Sequence, residues 1–212
     1  MISPTTVIVL AAGLGKRFAG AGPKLAQPVD ESGDASASLL GVTLRNAIAS
    51  GLPVVVVTTR ELAPLAQQQV AARDVVVVPT PTAGRGLGDS IAAGVSARSD
   101  ASGWLLLPAD MPRVSPSVMT RVAQALSTHA VAYAQYRGLR GHPVGYSAEL
   151  YSELVALSGD EGARRLVARY PAQAVDIDDE GVLIDIDTVQ DLAALRAVKG
   201  GMGAAAPLGG GR

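Results

Sequence analysis

The chain of 212 residues contains no cysteine, which excludes disulfides, thiolate metal centres and cysteine nucleophiles and fits a reducing compartment. It has only two histidines, His129 and His142, and their separation is not that of a zinc-binding pair. The net charge is -1, so the basic field with which proteins meet duplex DNA or RNA is missing, and nucleic acid is not an expected partner. Long apolar runs are missing too. The apolar start Thr5 to Ala12 lacks a basic leader and is too short to cross a bilayer, and no other run reaches membrane length. A cytoplasmic protein with no membrane contact is the expectation.

What is present is material for a core. Hydrophobic residues make up 48% of the chain and charged residues 17%, the composition of a folded protein whose length suits one domain. That domain is expected over residues 1–199, with a disordered tail over 200–212, where Gly and Ala dominate and nothing can be buried. Thr5 to Leu10, Val54 to Thr58, Val75 to Val78, Trp104 to Leu107 and Val131 to Ala134 read as strands, and such continuous apolar runs suit strands covered on both faces. Between them, Leu39 to Ser50, Leu62 to Ala72, Leu87 to Ala97 and Ser115 to Ser127 read as helices. The alternation predicts an α/β fold, a three-layer Rossmann-like sandwich with a mainly parallel sheet. After Tyr136 the pattern loosens into a Gly and Arg loop. Helices at Ala148 to Leu157 and Gly162 to Tyr170 follow, then a strand-like alternation over Ala174 to Asp187 and a last helix from Thr188 to Val198. Asp30 to Ser38 reads as a flexible excursion, and Asp176, Asp178 and Asp179 as an exposed turn.

Ligands of an open parallel sheet bind beyond the carboxyl ends of its strands. The first strand runs into Leu10-Ala11-Ala12-Gly13-Leu14-Gly15-Lys16-Arg17-Phe18 and on to Pro23-Lys24. Its glycines let backbone amides approach phosphate oxygens while Lys16, Arg17 and Lys24 supply cations, against the plainer reading of a flexible turn. Two sharper motifs fail here. A P-loop needs Ser or Thr after its Gly-Lys, and a dinucleotide fingerprint wants a glycine or alanine where Phe18 stands. Nor does an acid end the second strand, which runs into Thr58-Thr59-Arg60. The fourth strand ends in Pro108-Ala109-Asp110-Met111-Pro112, where a carboxylate can hold Mg²⁺ that bridges nucleotide phosphates or can serve as a turn acid. Gly86 to Ser90 opens a helix whose amides could meet a nucleotide. Asp160 and Arg164 read as an ion pair at a helix start, and His142 as a hydrogen-bonded structural residue.

Taken in order, these segments resemble the molybdenum cofactor nucleotidyltransferases, and among them most nearly the cytidylyltransferase. The resemblance runs through Leu10-Ala11-Ala12-Gly13 with Arg17 and Pro23-Lys24, then Gly86, Ser90 and Gly94, then Asp110-Met111-Pro112. It continues with Gly141-His142-Pro143-Val144, Gly159-Asp160 with Gly162-Ala163-Arg164, and Asp185-Ile186-Asp187-Thr188. It implies a fold of the nucleotide-diphospho-sugar transferase type. It also implies joining of the nucleoside monophosphate of an NTP to the terminal phosphate of molybdopterin, with loss of pyrophosphate. In that reading Leu10, Ala11, Ala12, Gly13, Gly15, Gly86 and Ser90 hold the nucleotide, Arg17 and Lys24 neutralise charge on its phosphates, and Asp110 is a catalytic metal ligand. The second ligand to Mg²⁺ would be Asp187, which shares a face with Asp185 and precedes the Thr188 that caps the last helix. His142, Asp160 and Arg164 would meet the acceptor, and a molybdoenzyme or its insertion chaperone would receive the product.

Base choice is read two ways: Ala12 favours CTP, whereas Met111 is the residue of guanylyltransferase relatives, and Phe18 stands where cytidylyltransferases carry Met. One methyl discriminates roughly 10- to 200-fold at best. Three readings therefore stand: transfer from CTP to molybdopterin; a guanylyltransferase or other transferase acting on a different small phosphorylated acceptor; and a non-catalytic carrier of finished cofactor. The segments around His142 and Asp160 favour the first over the second, and the presence of both Lys24 and Asp110 favours catalysis over carriage.

Overall fold

The structure is a computed structural model that describes residues 4–13, 15, 18–20, 22–30, 37–79 and 86–202. Its centre is a seven-stranded sheet of order β3-β2-β1-β4-β6-β5-β7. The strands are β1 (Thr6–Ala11), β2 (Val54–Thr58), β3 (Val75–Val77), β4 (Gly103–Pro108), β5 (Val131–Tyr136), β6 (Leu139–Ser147) and β7 (Ala172–Asp176). β1 pairs in parallel with both β2 and β4, β2 with β3, and β5 with β7, while β6 runs antiparallel to β4 and β5. The sheet is mainly parallel, as expected, with one reversed strand.

The continuous apolar strands follow from burial on two faces. Val7, Val9, Val56, Leu105 and Leu107 pack on one face against Leu40 and Leu44 of α1 (Leu39–Ala49) and Met119 and Val122 of α4 (Pro116–Ala125). Ile8, Val55, Val57, Trp104 and Leu106 pack on the other against Ile91 of α3 (Leu87–Ser96), Leu154 of α5 (Tyr151–Val155) and Leu166 of α6 (Arg164–Arg169). A third cluster joins Val29, Leu39 and Val42 to Ile186, Leu192 and Leu195, and so fastens the closing segment and α7 (Val189–Met202) to the start of α1. Among the described residues no helix is long and apolar enough to cross a membrane.

The largest departure from expectation lies after Tyr136. The Gly and Arg loop is the two-residue turn Arg137-Gly138, with φ of 49° and 81°, followed by the nine-residue strand β6. Positive φ at both positions is what a tight hairpin turn matched to strand twist requires. β6 carries two glycines and a proline, so local propensity conceals it; pairing on both sides makes it a strand. Its proline sits where the β5–β6 register shifts, the place a sheet tolerates one.

Other elements are shorter than predicted. Leu62 to Ala72 is helical only over α2 (Ala63–Ala66), since Gln67 to Gln69 bring no apolar face for packing to stabilise. Ala148 to Leu157 divides into a 3₁₀ turn, Ala148–Leu150, and α5, and Gly162 to Tyr170 into α6 alone. The strand-like alternation over Ala174 to Asp187 forms β7, a 3₁₀ turn at Glu180–Leu183 and an extended closing segment. The last helix runs on to Met202, past the predicted end at Val198, and residues 203–212 of the expected tail lie outside the described residues. The excursion after Asp30 is pinned at its base, where Val29 N–H donates to Ala37 O at 2.8 Å and Leu39 N–H to Gln27 O at 2.9 Å. Residues 31–36 also lie outside the described residues.

A Cβ at Gly141 of β6 would collide with the Val182 carbonyl, whereas one at Gly13 would meet nothing within 4 Å. Gly141→Ala is therefore expected to lower stability by about 1–3 kcal/mol, the usual penalty for overpacking. Gly13→Ala should stay within about 0.5 kcal/mol of the parent. Urea denaturation midpoints check both.

Candidate active site

The carboxyl ends of β1 and β4 lie side by side at the middle of the sheet. Ala109 N–H donates to Leu10 O at 3.1 Å, which holds the acid loop after β4 against the glycine loop after β1. Helix α1 fixes that loop from below: the buried Thr43 hydroxyl donates to Ala109 O at 2.9 Å, and Asn46 Nδ2 donates to Pro112 O at 3.0 Å and Val114 O at 3.1 Å. Neither residue is marked as functional by the sequence pattern. A polar residue on the covered face of an otherwise apolar helix was the available signal.

Asp110 is completed by two distant segments. Lys24, in the 3₁₀ turn Lys24–Ala26, places its ammonium 2.7 Å from Asp110 Oδ2 and 3.0 Å from Asp187 Oδ1. Ile186 N–H donates to Asp110 O at 3.0 Å, which aligns the closing segment with the acid loop. Thr188 and Asp191 form a reciprocal cap. Asp191 N–H donates to Thr188 Oγ1 at 3.1 Å, Thr188 N–H donates to Asp191 Oδ2 at 2.7 Å, and Asp187 N–H reaches the same carboxylate at 3.1 Å. Asp187 is thereby held at the lip of a helix start. Burial pulls the Lys24 pKa down, but the Asp110 and Asp187 carboxylates outweigh it and hold the ammonium above its ordinary value. Burial first, and the Asp187 carboxylate second, push Asp185 up.

Two sets of cavities meet at Asp110. A cleft of about 330 Å³ on the glycine-loop side is lined by Leu10, Gly13, Gly15, Lys24, Thr59, Glu61, Leu62 and Asp110 among others. Gly15 adopts a φ of 56°, which favours glycine. Thr59, Glu61 and Leu62 are lining residues the sequence reading missed, because Glu61 stands three residues beyond the strand end where an acid was sought. On the other side, a cavity of about 280 Å³ is lined by Asp110, Met111, Arg140, His142, Asp185 and Asp187. Beside it a more apolar cavity of about 190 Å³ takes Leu87, Ile91, Arg140, His142, Tyr146 and Arg164. Among the described residues His142 Nδ1 is buried without a hydrogen-bond partner, and burial lowers the His142 pKa.

The remaining predicted residues are placed as follows. Ala11 and Ala12 are 0% and 2% exposed, backbone included, and neither lines the glycine-loop cleft. Ser90 is buried at 4%, and the walls from α3 come from Leu87 and Ile91. Gly86 is required by packing, since a Cβ there would collide with the Gly159 carbonyl. Asp89 Oδ2 accepts from Gly159 N–H at 3.2 Å, tying the same two loops. Asp160, in the 3₁₀ turn Gly159–Glu161, and Arg164, in α6, lie in separate helical pieces with Gly162 at a φ of 52° between them, and both are exposed. The expected intrahelical pair therefore has no common helix. Arg17 lies outside the described residues.

A glycine-bearing loop and a lysine-bridged pair of acids thus stand at the carboxyl edge of a mainly parallel sheet, with cavities on both sides, the place where open α/β sheets bind ligands. Residues 7–175 match the sequence profile of the MobA-like NTP transferase domain, and the chain belongs to that family of nucleotidyltransferases. Rv0371c from Mycobacterium tuberculosis H37Rv is similar in structure, with a TM-score of 0.77 and 27% identity over 93% of this chain and 99% of that one. It has also been solved in complex with manganese. The purine catabolism protein PucB of Bacillus subtilis (strain 168) is 32% identical over 117 residues, 53% of this chain. The match spans 57% of that curated relative's own length. Molybdopterin-guanine dinucleotide biosynthesis protein A from Archaeoglobus fulgidus shares the fold, with a TM-score of 0.65 and 18% identity over 93% of this chain and 100% of that one.

Because the folded state holds His142 neutral, the unfolded chain binds its proton more readily, and stability must fall as pH drops below about 6.5. His142→Gln is expected to reduce the loss of stability between about pH 6.5 and pH 5, measured by chemical denaturation at each pH. A slope unchanged by the substitution would show that His142 does not carry it.

Proposed function

We propose that the protein transfers the cytidine monophosphate part of CTP to the terminal phosphate of molybdopterin and releases pyrophosphate. The observation that carries this reading is the meeting of two cavities at one acid, Asp110, with a phosphate-type loop on one side and guanidinium groups and an imidazole on the other. An oxygen of the acceptor phosphate would attack the α-phosphorus of the nucleotide. As that P–O bond forms, the bond between the α-phosphorus and the oxygen bridging to the β-phosphate breaks, and the electron pair leaves with pyrophosphate. Chemistry of this kind asks the protein for positioning and charge stabilisation.

In this assignment Leu10, Gly13 and Gly15, which line the glycine-loop cleft, meet the nucleotide, together with Ala11, Ala12, Gly86 and Ser90 as the resemblance implies. Lys24 and Arg17 meet the charge that develops on the phosphates. His142, Arg164 and Asp160 serve the acceptor. The unit responsible is taken as residues 1–199, acting in the cytoplasm. The residues present fit a divalent cation. Asp110 Oδ1 is buried without a partner among the described residues, and the Lys24 ammonium stands as a cation between the two carboxylates. Two carboxylates completed by substrate phosphates are the set Mg²⁺ prefers over an all-protein cage. Among the described residues no group of three or more His, Cys, Asp or Glu is arranged to hold a metal. Bound there by Asp110 and Asp187, Mg²⁺, or Mn²⁺ as in the Rv0371c complex, would supply neutralising charge to the phosphates.

CTP rather than GTP is taken from the resemblance at Leu10-Ala11-Ala12-Gly13, with no Ala12 side-chain contact behind it, and the molybdopterin acceptor from the order of segments from Gly141 to Asp187. The counter-indication, Met111, is 2% exposed and lines the cavity on the acceptor side, away from the glycine loop.

Pyrophosphate release in the presence of Mg²⁺ and molybdopterin is expected with CTP and weakly or not at all with GTP, ATP or UTP. Turnover with GTP alone would transfer the base assignment. Inertness with all four would favour a carrier. Asp110→Asn should lower turnover by at least about 100-fold with the circular dichroism spectrum unchanged, because it removes a metal ligand and keeps the side-chain size. Near-normal Mg²⁺-dependent turnover in that variant would end the assignment.

A further inference from the structure

Neither residue that bears on base choice by resemblance faces the glycine-loop cleft with its side chain: Ala12 is in the core, and Met111 is on the acceptor side. The polar side chains on the β2 wall of that cleft are Thr59 and Glu61. They sit on a fixed turn. Ala63 N–H donates to Thr59 O at 3.0 Å, Ala66 N–H donates to Leu62 O at 3.1 Å, and Leu62, 5% exposed, anchors the turn in the core below. Glu61 itself is exposed, and among the described residues nothing pairs with its carboxylate.

An ionised carboxylate only accepts hydrogen bonds. Beside a triphosphate it would repel, so the polyphosphate belongs at the Lys24 end of the cleft and the nucleoside along the β2 wall. Leu10, Leu25 and Leu62 line the same cleft and offer apolar contact to the faces of a base. We propose that Glu61 reads the nucleobase by accepting a hydrogen bond from an exocyclic amino group, N4 of cytosine or N2 of guanine. The proposal rests on the nucleotidyltransferase reading and adds a rule to it. Uracil carries only carbonyl oxygens outside its ring, so it sets an acceptor against an acceptor and is rejected.

Isothermal titration of the full chain with CTP, GTP, ATP and UTP in Mg²⁺, without acceptor, tests this. UTP is expected to bind about 10- to 100-fold more weakly than the preferred amino-bearing nucleotide, the range of a charge-assisted hydrogen bond. The CTP and GTP arms identify which amine is read. In Glu61→Gln, whose amide can donate to a carbonyl, the gap to UTP should close to about 3-fold or less, while the ratio of ribonucleotide to 2′-deoxynucleotide affinity stays put. An unchanged base preference in Glu61→Gln, or a change confined to the ribose ratio, would overturn the assignment and leave the nucleotidyltransferase reading intact. A wild-type protein that binds none of the four would instead overturn the reading on which it rests.

Discussion

The site depends on one ion triad, the Lys24 ammonium held between Asp110 and Asp187. Its members come from sequence positions 86 and 163 residues apart, and all three side chains are largely withdrawn from water, with exposures of 9%, 21% and 19%. Such a triad is not a gift to stability, because desolvation of the charges offsets much of their attraction; what it does is make each member necessary to the others. Removing Lys24 would leave two part-buried carboxylates without the cation between them, a loss whose fully buried counterpart costs about 3–5 kcal/mol. The surrounding structure is arranged to bring the three together. Thr43 and Asn46 hold the Asp110 loop, and the Thr188–Asp191 cap holds Asp187. The small core of Val29, Leu39, Ile186 and Leu192 binds the closing segment to the loop that carries Lys24.

Much of this was legible in the sequence, for physical reasons that can be named. β1, β2 and β4 are buried on both faces, so their sequences are nearly continuous apolar runs, and the acid that ends β4 stands out against them. Asp187 was separable from Asp185 because a Thr-x-x-Asp cap follows it. Legibility failed where tertiary pairing decides. β6 contains Gly141, Pro143 and Gly145, and only contact with β4, β5 and the Val182 backbone explains why those residues form a strand. Gly86 and Gly88 are also sites of close backbone packing, where a Cβ would strike Gly159 and Ser158, a requirement that the one-dimensional pattern does not reveal. Glu61 was passed over because strand-end acids are sought next to the strand, whereas here a helical turn carries the acid back over the cleft.

In the proposed reaction, the charge around Asp110 on the His142 side would favour an accompanying cation. Asp110, Asp185 and Asp187 share one cavity, and Arg140 is the guanidinium among its lining residues. His142, the other titratable group there, is kept neutral by burial. In the proposed reaction a phosphate monoester entering this cavity would meet more negative than positive charge, even with Lys24 at the centre, and a nucleotide on the glycine-loop side would add its own phosphates. Placing the lysine between two acids, with one oxygen of Asp110 without a hydrogen-bond partner among the described residues, creates a position where further positive charge is favoured. The same imbalance that would keep two phosphates apart in the bare protein would, in that reaction, favour a divalent ion between them.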